Sequence, residues 1–205
     1  MYMFLLFLVL IISNAIKICI YGKLKNQSYL EWILGIYKNN VSILIDFVLA
    51  ALIFTIYYKY NISISFFTYI TLSSILLTIS IIDIKTRIIP DKVIILGSIL
   101  GAIIMLLNDN ISIINALLGI VICGGIIAVI SIMTKGAIGM GDAKLFACIG
   151  IFLGLQSTLG VMVIATMLSG LTGLILLTFK IVGRKATLPF APFISVAAIF
   201  IMIFN

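Results

Sequence analysis

Eight apolar runs, most of them close to the length that spans a bilayer, follow one another along this chain with only short polar breaks. They lie at about 3–21, 41–58, 63–83, 92–107, 111–134, 144–155, 157–179 and 188–204. A helix needs about 20 apolar residues to cross the hydrocarbon of a membrane. The whole chain is 64% hydrophobic and 9% charged, whereas soluble domains sit at about 45–50% apolar. The expected fold class is therefore all-α, a polytopic membrane helix bundle of about eight spans, with no room in 205 residues for a sizeable soluble domain. The sixth run is short enough to be a half-helix or an interfacial segment. Gln156-Ser157-Thr158 is the only polar break between it and the seventh.

The net charge of +7 suggests nucleic acid in a soluble protein, but here it reads as a topology signal. Lys23, Lys25 and Lys38 fall in the first loop, Lys85, Arg87 and Lys92 in the third, Lys135 and Lys144 in the fifth, and Lys180, Arg184 and Lys185 in the seventh. Lys17 can snorkel toward the first loop, and only Lys59 lands on the other face. Basic loops stay in the cytoplasm, so the odd-numbered loops are expected there and the N-terminus outside. No basic–aromatic stripe accompanies the charge, so no nucleic-acid partner is expected. The first 16 residues lack the positive start of a signal peptide and read as an uncleaved first span. Residues 1–60 read as an N-terminal two-span region with a short cytoplasmic loop, and residues 61–205 as the region that carries the chemistry. The lipid bilayer is one expected partner.

Histidine is absent, which removes Ser-His-Asp and Cys-His catalysis and His-ligated zinc together. Cys19, Cys123 and Cys148 are widely spaced in or near apolar runs; without a C-x-x-C they read as small apolar packing residues, not metal ligands. Gly97 with Gly101, and Gly150 with Gly154, recur four apart, the spacing that lets helix backbones approach in lipid. Ordinary helix packing accounts for them.

The acidic residues are the informative ones. A carboxylate amid hydrocarbon is costly, about 2.5–3.5 kcal/mol at a helix centre on insertion scales. Asp83 ends the third run, and Asp142 opens the sixth within Gly139-Met140-Gly141-Asp142-Ala143-Lys144. The span layout puts both on the cytoplasmic side, where they can meet although 58 residues lie between them. Two carboxylates support aspartyl proteolysis without other help. Gly139 and Gly141 permit positive φ and close approach of another segment, and Asp142 is expected to cap the following helix. Asp83 sits at a helix C-terminus, whose dipole disfavours negative charge; its alternative reading is a boundary residue paired with Lys85 or Arg87. Asp91 follows Pro90 and reads as an N-cap or as support for the site. Asp46, inside the second run, reads as a buried polar contact, with Asn14 or Lys17 as partners, or as a proton-relay residue.

With these residues in place, the chain resembles the type IV prepilin peptidases, members of the G-x-G-D class of membrane aspartyl proteases. Asp83 with Arg87, Ile89, Pro90 and Asp91, then Gly139-Met140-Gly141-Asp142-Ala143-Lys144, then Leu188-Pro189-Phe190-Ala191-Pro192-Phe193 carry the resemblance, over roughly residues 63–204. It implies an aspartic-type endopeptidase of a prokaryotic plasma membrane, cleaving prepilin or pseudopilin precursors at the cytoplasmic face, just after a glycine that ends a basic leader. It implies Asp83 and Asp142 as the catalytic pair, with Gly139, Gly141, Lys144, Pro90 and Asp91 as supporting or substrate-binding residues. No metal or cofactor is expected for proteolysis. Many bacterial members also methylate the new N-terminus with S-adenosylmethionine and carry a longer, zinc-binding loop with paired cysteines. This chain's first loop is short and has no such pair, which weighs against zinc and leaves S-adenosylmethionine a cofactor only if methyl transfer is retained. Two other readings are a proton-coupled transporter with Asp46, Asp83 and Asp142 as the relay, and an inactive subunit of a secretion apparatus.

Overall fold

The computed structural model describes residues 11–12, 40–107, 111–134, 138–181, 183 and 187–204. Every element among them is helical. They are α1 (Asn40–Tyr60), α2 (Ile64–Thr86), α3 (Asp91–Leu106), α4 (Ile113–Met133), α5 (Met140–Thr178) and α6 (Ala191–Phe204). Helices α2, α4 and α5 are long and apolar enough to cross a membrane, and α6 is apolar over a shorter 14 residues. The chain is thus a membrane protein, all-helical over its described residues. Eight spans are not reached among the described residues. All but two residues of the first expected span, Cys19 and most of the expected N-terminal region lie outside them.

The expected sixth and seventh spans are the two arms of α5, two helices joined at a break that falls at Gly154 instead of at Gln156-Ser157-Thr158. Gly154 has φ 70° and ψ −174°, a conformation that only glycine adopts readily. The polar residues downstream serve the break without forming it. The Thr158 hydroxyl donates to the Gly154 carbonyl four residues back. Asn115 of α4 supplies an Oδ1 that accepts from the Leu155 N–H at 3.0 Å, satisfying a donor that the interrupted helix leaves open. The chain reverses here. Thr166 and Ser169 line the same cavity as Gly141 and Asp142, although a straight helix would hold Asp142 and Thr166 about 36 Å apart. Replacing Asn115 with alanine is expected to destabilise the protein by about 1–3 kcal/mol, the cost of an orphaned buried donor. Thermal unfolding in a mild detergent measures it.

The glycine spacings pack helices, as read from the sequence. The faces of α4 and α5 meet backbone to backbone: a Cβ on Gly150 would lie 2.6 Å from the Gly119 carbonyl carbon. Helix α4 carries a π-helical stretch, Gly119–Gly124, along this contact, and the sequence gives no signal for it. Gly97 takes the Ile75 side chain of α2, and Gly101 takes the Phe152 ring of α5. Cys123 and Cys148 are buried free thiols in the same core. That core runs through α2, α5 and α6 on Leu76, Ile79, Phe146, Phe152 and Ile194, while Leu171, Leu174 and Ile175 of α5 face outward.

The two ends of the bundle differ. At one end the Lys59 ammonium donates to the Ile203 carbonyl at 2.8 Å and the Tyr60 hydroxyl to the Met202 carbonyl at 2.7 Å. A cation there suits the negative C-terminal end of α6. The other end gathers the C-terminus of α2 and the N-termini of α3, α5 and α6. Asp83, Asp91 and Asp142 are all at this end, and Lys59 is at the opposite one.

Candidate active site

Helix α2 runs on to Thr86, so Asp83 lies inside its last turn. Arg87 closes the helix in the left-handed conformation, φ 54°, and its N–H donates to the Asp83 carbonyl at 2.8 Å. Non-glycine residues take this conformation rarely, at turns and functional sites. The Asp83 side chain is buried, and its Oδ2 accepts the N–H of Ala191 at 3.1 Å; the Phe190 N–H contributes a second backbone contact. Ala191 opens α6. The unfavourable end of α2 is therefore answered by the favourable end of α6, whose unpaired N–H groups seek an anion. Of the basic neighbours expected as partners, Arg87 adds positive charge near Asp83, while its Nη1 donates to Thr187 Oγ1 at 3.0 Å.

Asp142 is not the N-cap of α5. The helix starts at Met140 with Gly139 as its cap, which puts Asp142 at the third helical position. From there its Oδ2 reaches back to accept the Gly139 N–H at 3.2 Å, the reciprocal half of a capping box. The preceding carbonyl, Ile138, accepts from the buried Ser131 hydroxyl of α4 at 2.7 Å. The expected positive φ is not used either: Gly139 has φ −70°, and Gly141 lies within the helix. Gly141 is needed for close approach. A Cβ there would lie 2.9 Å from the Cβ of Ile89, so the Ile89-Pro90-Asp91 segment presses directly on the start of α5.

Asp83 and Asp142 line one cavity of about 670 Å³, together with Arg87, Lys144, Thr166 and Ser169 among others. The charge of Asp83 acts on Asp142 across it. Asp91, also at the cavity, is not a cap. Pro90 occupies the cap position without a side-chain bond, and Asp91 is the first helical residue. Its Oδ1 accepts from Lys144 Nζ at 2.7 Å. Both side chains are about half exposed, and such pairs add at most about 1 kcal/mol; the contact ties the start of α3 to the start of α5 at the cavity rim. Asp46 is half-buried in α1 and is not among the residues lining the cavity. The three acids of a relay are therefore not gathered in one place. Asn14 and Lys17, its expected partners, lie outside the described residues.

Several features of the site carry no sequence signal strong enough to single them out. The Ala191 N–H is a backbone group, invisible to residue-type reasoning. Thr166 and Ser169, three apart and so on one helix face, are the one readable clue, a run of hydroxyls that Thr172 continues.

This geometry can be set beside known proteins. The model of the type IV leader peptidase family matches residues 70–177, just over half of the chain. The chain belongs to the type IV leader peptidase family. It is 29% identical over 141 residues to the prepilin leader peptidase/N-methyltransferase of Bacillus subtilis (strain 168), a match covering 69% of this chain and 57% of that protein. It is 25% identical over 173 residues to the protein of the same name from Pseudomonas putida, covering 78% and 58% respectively. The chain thus spans less than two thirds of the length of either relative. No solved structure matches it. The residues matched to the leader peptidase family hold Asp83, Asp142, Thr166 and Ser169, and stop short of Ala191.

Proposed function

We propose that this member of the leader peptidase family is a membrane aspartyl endopeptidase that removes the basic leader of prepilin-like precursors, with Asp83 and Asp142 as its acid and base. The observation that carries this reading is that two acids with 58 residues of chain between them line one cavity at one end of an apolar bundle. One carboxylate takes a proton from a water held between the pair as that water attacks the scissile carbonyl. The other, protonated, donates to the carbonyl oxygen and supports departure of the amine. Two adjacent carboxyl groups do not both ionise readily; they share a proton and titrate as a unit. This chemistry draws on the two acids and a water. The N–H groups of Ala191 and Gly139 each hold one carboxylate oxygen and so fix the direction of the other.

The basic residues at the site end, Lys85, Arg87, Lys92 and Lys144, support a cytoplasmic location by the positive-inside rule, with Lys59 at the far end. Gly139, Gly141, Pro90, Asp91 and Lys144 act as the frame of the pair: the Gly141–Ile89 approach and the Asp91–Lys144 contact set α5 against α3. The names of the two relatives include an N-methyltransferase. For this chain S-adenosylmethionine would enter only as the methyl donor of that separate step.

The test is intact-mass measurement of a prepilin-like precursor after incubation with the purified protein in detergent. The expected products are the leader, ending in glycine, and the remaining chain; an added methyl group would appear in the same spectrum. An unchanged precursor under all conditions contradicts the proposal. A second expectation concerns Ala191→Pro. Proline is well accepted at the first helical position, and Phe190 before it lies outside α6. The variant lacks the N–H that Asp83 accepts, and the ring carbon in its place pushes the buried carboxylate aside, so thermal unfolding accompanies the assay as a control. Cleavage is expected to fall about 10-fold or more, because small misplacements of a reacting group are expensive; a kcat assay at saturating precursor checks it.

A further inference from the structure

Both candidate acids are held by a backbone N–H, and each of those N–H groups belongs to a segment that a buried serine grips from behind. At Asp142 the arrangement passes through a single peptide group. Ser131 Oγ, on a residue 3% exposed, donates to the Ile138 carbonyl at 2.7 Å. The N–H on the other side of that same peptide, Gly139, donates to Asp142 Oδ2 at 3.2 Å. A hydroxyl on a carbonyl polarises its peptide and strengthens the bond that the N–H gives. At Asp83 the grip is on Ala191, which gives its N–H to Asp83 Oδ2. Its carbonyl lies within hydrogen-bond reach of the Ser195 hydroxyl at 2.9 Å and of the Ser80 hydroxyl at 3.2 Å. The two hydroxyls also bond each other, and Ser195 lies 3.1 Å from the Leu76 carbonyl of α2; their two protons serve two of these contacts at a time.

Serine and threonine in helices commonly return their hydroxyl to the carbonyl four residues back, on their own helix. Three buried residues of α2 do so here: Thr68 donates to the Ile64 carbonyl at 2.8 Å, Ser73 to the Tyr69 carbonyl at 2.7 Å and Thr78 to the Ser74 carbonyl at 2.7 Å. The three serines behind the aspartates differ. Ser80 crosses from α2 to α6. Ser195 reaches from α6 to α2 as well as along α6. Ser131 reaches from α4 to the residues just before α5.

We propose that Ser131, Ser80 and Ser195 are positioning residues of the peptidase, holding the Gly139 and Ala191 N–H groups that aim the two aspartates. This inference rests on the proteolytic reading above. It adds three residues, none of which lines the cavity, whose effect on the reaction passes entirely through backbone donors.

The test compares alanine, cysteine and threonine at each serine, in the whole chain in detergent, with a synthetic precursor peptide as substrate. Alanine removes the hydroxyl; cysteine keeps its size but donates weakly; threonine keeps the hydroxyl. The expected result is a kcat reduced about 10-fold by alanine, as for small misplacements of reacting groups, with KM unchanged, intermediate values for cysteine and recovery with threonine. Exchange of the Gly139 and Ala191 amides with deuterium should speed up in the alanine variants. Unchanged kcat in all three alanine variants overturns the proposal, as does a parallel loss of kcat, KM and folded protein that threonine does not restore. If alanine prevents folding at a position, threonine against cysteine decides there: equal kcat contradicts the proposal, and a lower kcat for cysteine supports it. Wild-type protein that cleaves nothing would instead remove the proteolytic reading itself.

Discussion

Asp142→Asn is expected to cut precursor cleavage by about 10²–10⁴-fold, the range that a general acid or base contributes, and Asp83→Asn to do the same. Asparagine keeps the shape of aspartate and an oxygen that can accept the N–H of Gly139 or Ala191. The caps and the packing should therefore survive, and only the exchange of a proton is lost. Because the two acids work as a unit, the double variant should be hardly worse than either single one. Purified variants assayed for kcat, with membrane yield and thermal unfolding as controls, check this. Cleavage at the wild-type rate in either variant would remove that residue from the reaction. Loss of a transported solute with cleavage unaffected would favour the transporter reading instead.

Gly154→Ala is expected to have the largest effect on stability, about 2–6 kcal/mol. Two causes add. An L side chain is strained at φ 70° and ψ −174°, worth about 1–3 kcal/mol. The new methyl would also lie 2.7 Å from Asn115 Nδ2, and overpacking costs about 1–3 kcal/mol more. Asn115 cannot simply withdraw, because its Oδ1 holds the Leu155 N–H. The reversal at Gly154 is also what returns Thr166 and Ser169 to the cavity, so the surviving folded protein should cleave poorly. Unfolding in mild detergent measures the first effect and specific activity the second; wild-type values in both would contradict the described break.

The helices are legible in the sequence because hydrocarbon length sets them. Helices α1, α2, α3 and α4 fall within a few residues of the apolar runs. The break in α5 is not, since glycine four residues after Gly150 reads equally as a packing spacing and as a hinge, and only Asn115, 39 positions earlier, distinguishes them. The juxtaposition of Asp83 and Asp142 is legible from the cost of acids beside lipid and from the charge layout. Their local roles are less so. Asp142 sits three residues into α5 and Asp91 one residue into α3, because Gly139 and Pro90 take the cap positions; boundaries shift by this much when the neighbours of a candidate cap can also serve. The G-x-G-D-x-K run groups Lys144 with Asp142, yet a helical residue two positions on points away, and it meets Asp91 of α3.

The dependence of kcat/KM on pH tests the pairing of Asp83 and Asp142 most directly. One member must be ionised to take a proton from water, and the other protonated to give one, so activity should fall both when acid protonates the base and when alkali strips the acid. The predicted result is a bell with two limbs in the wild type, belonging to the pair and not to either residue. A profile that is flat, or that has a single limb, would contradict an acid–base pair of carboxyl groups at this site.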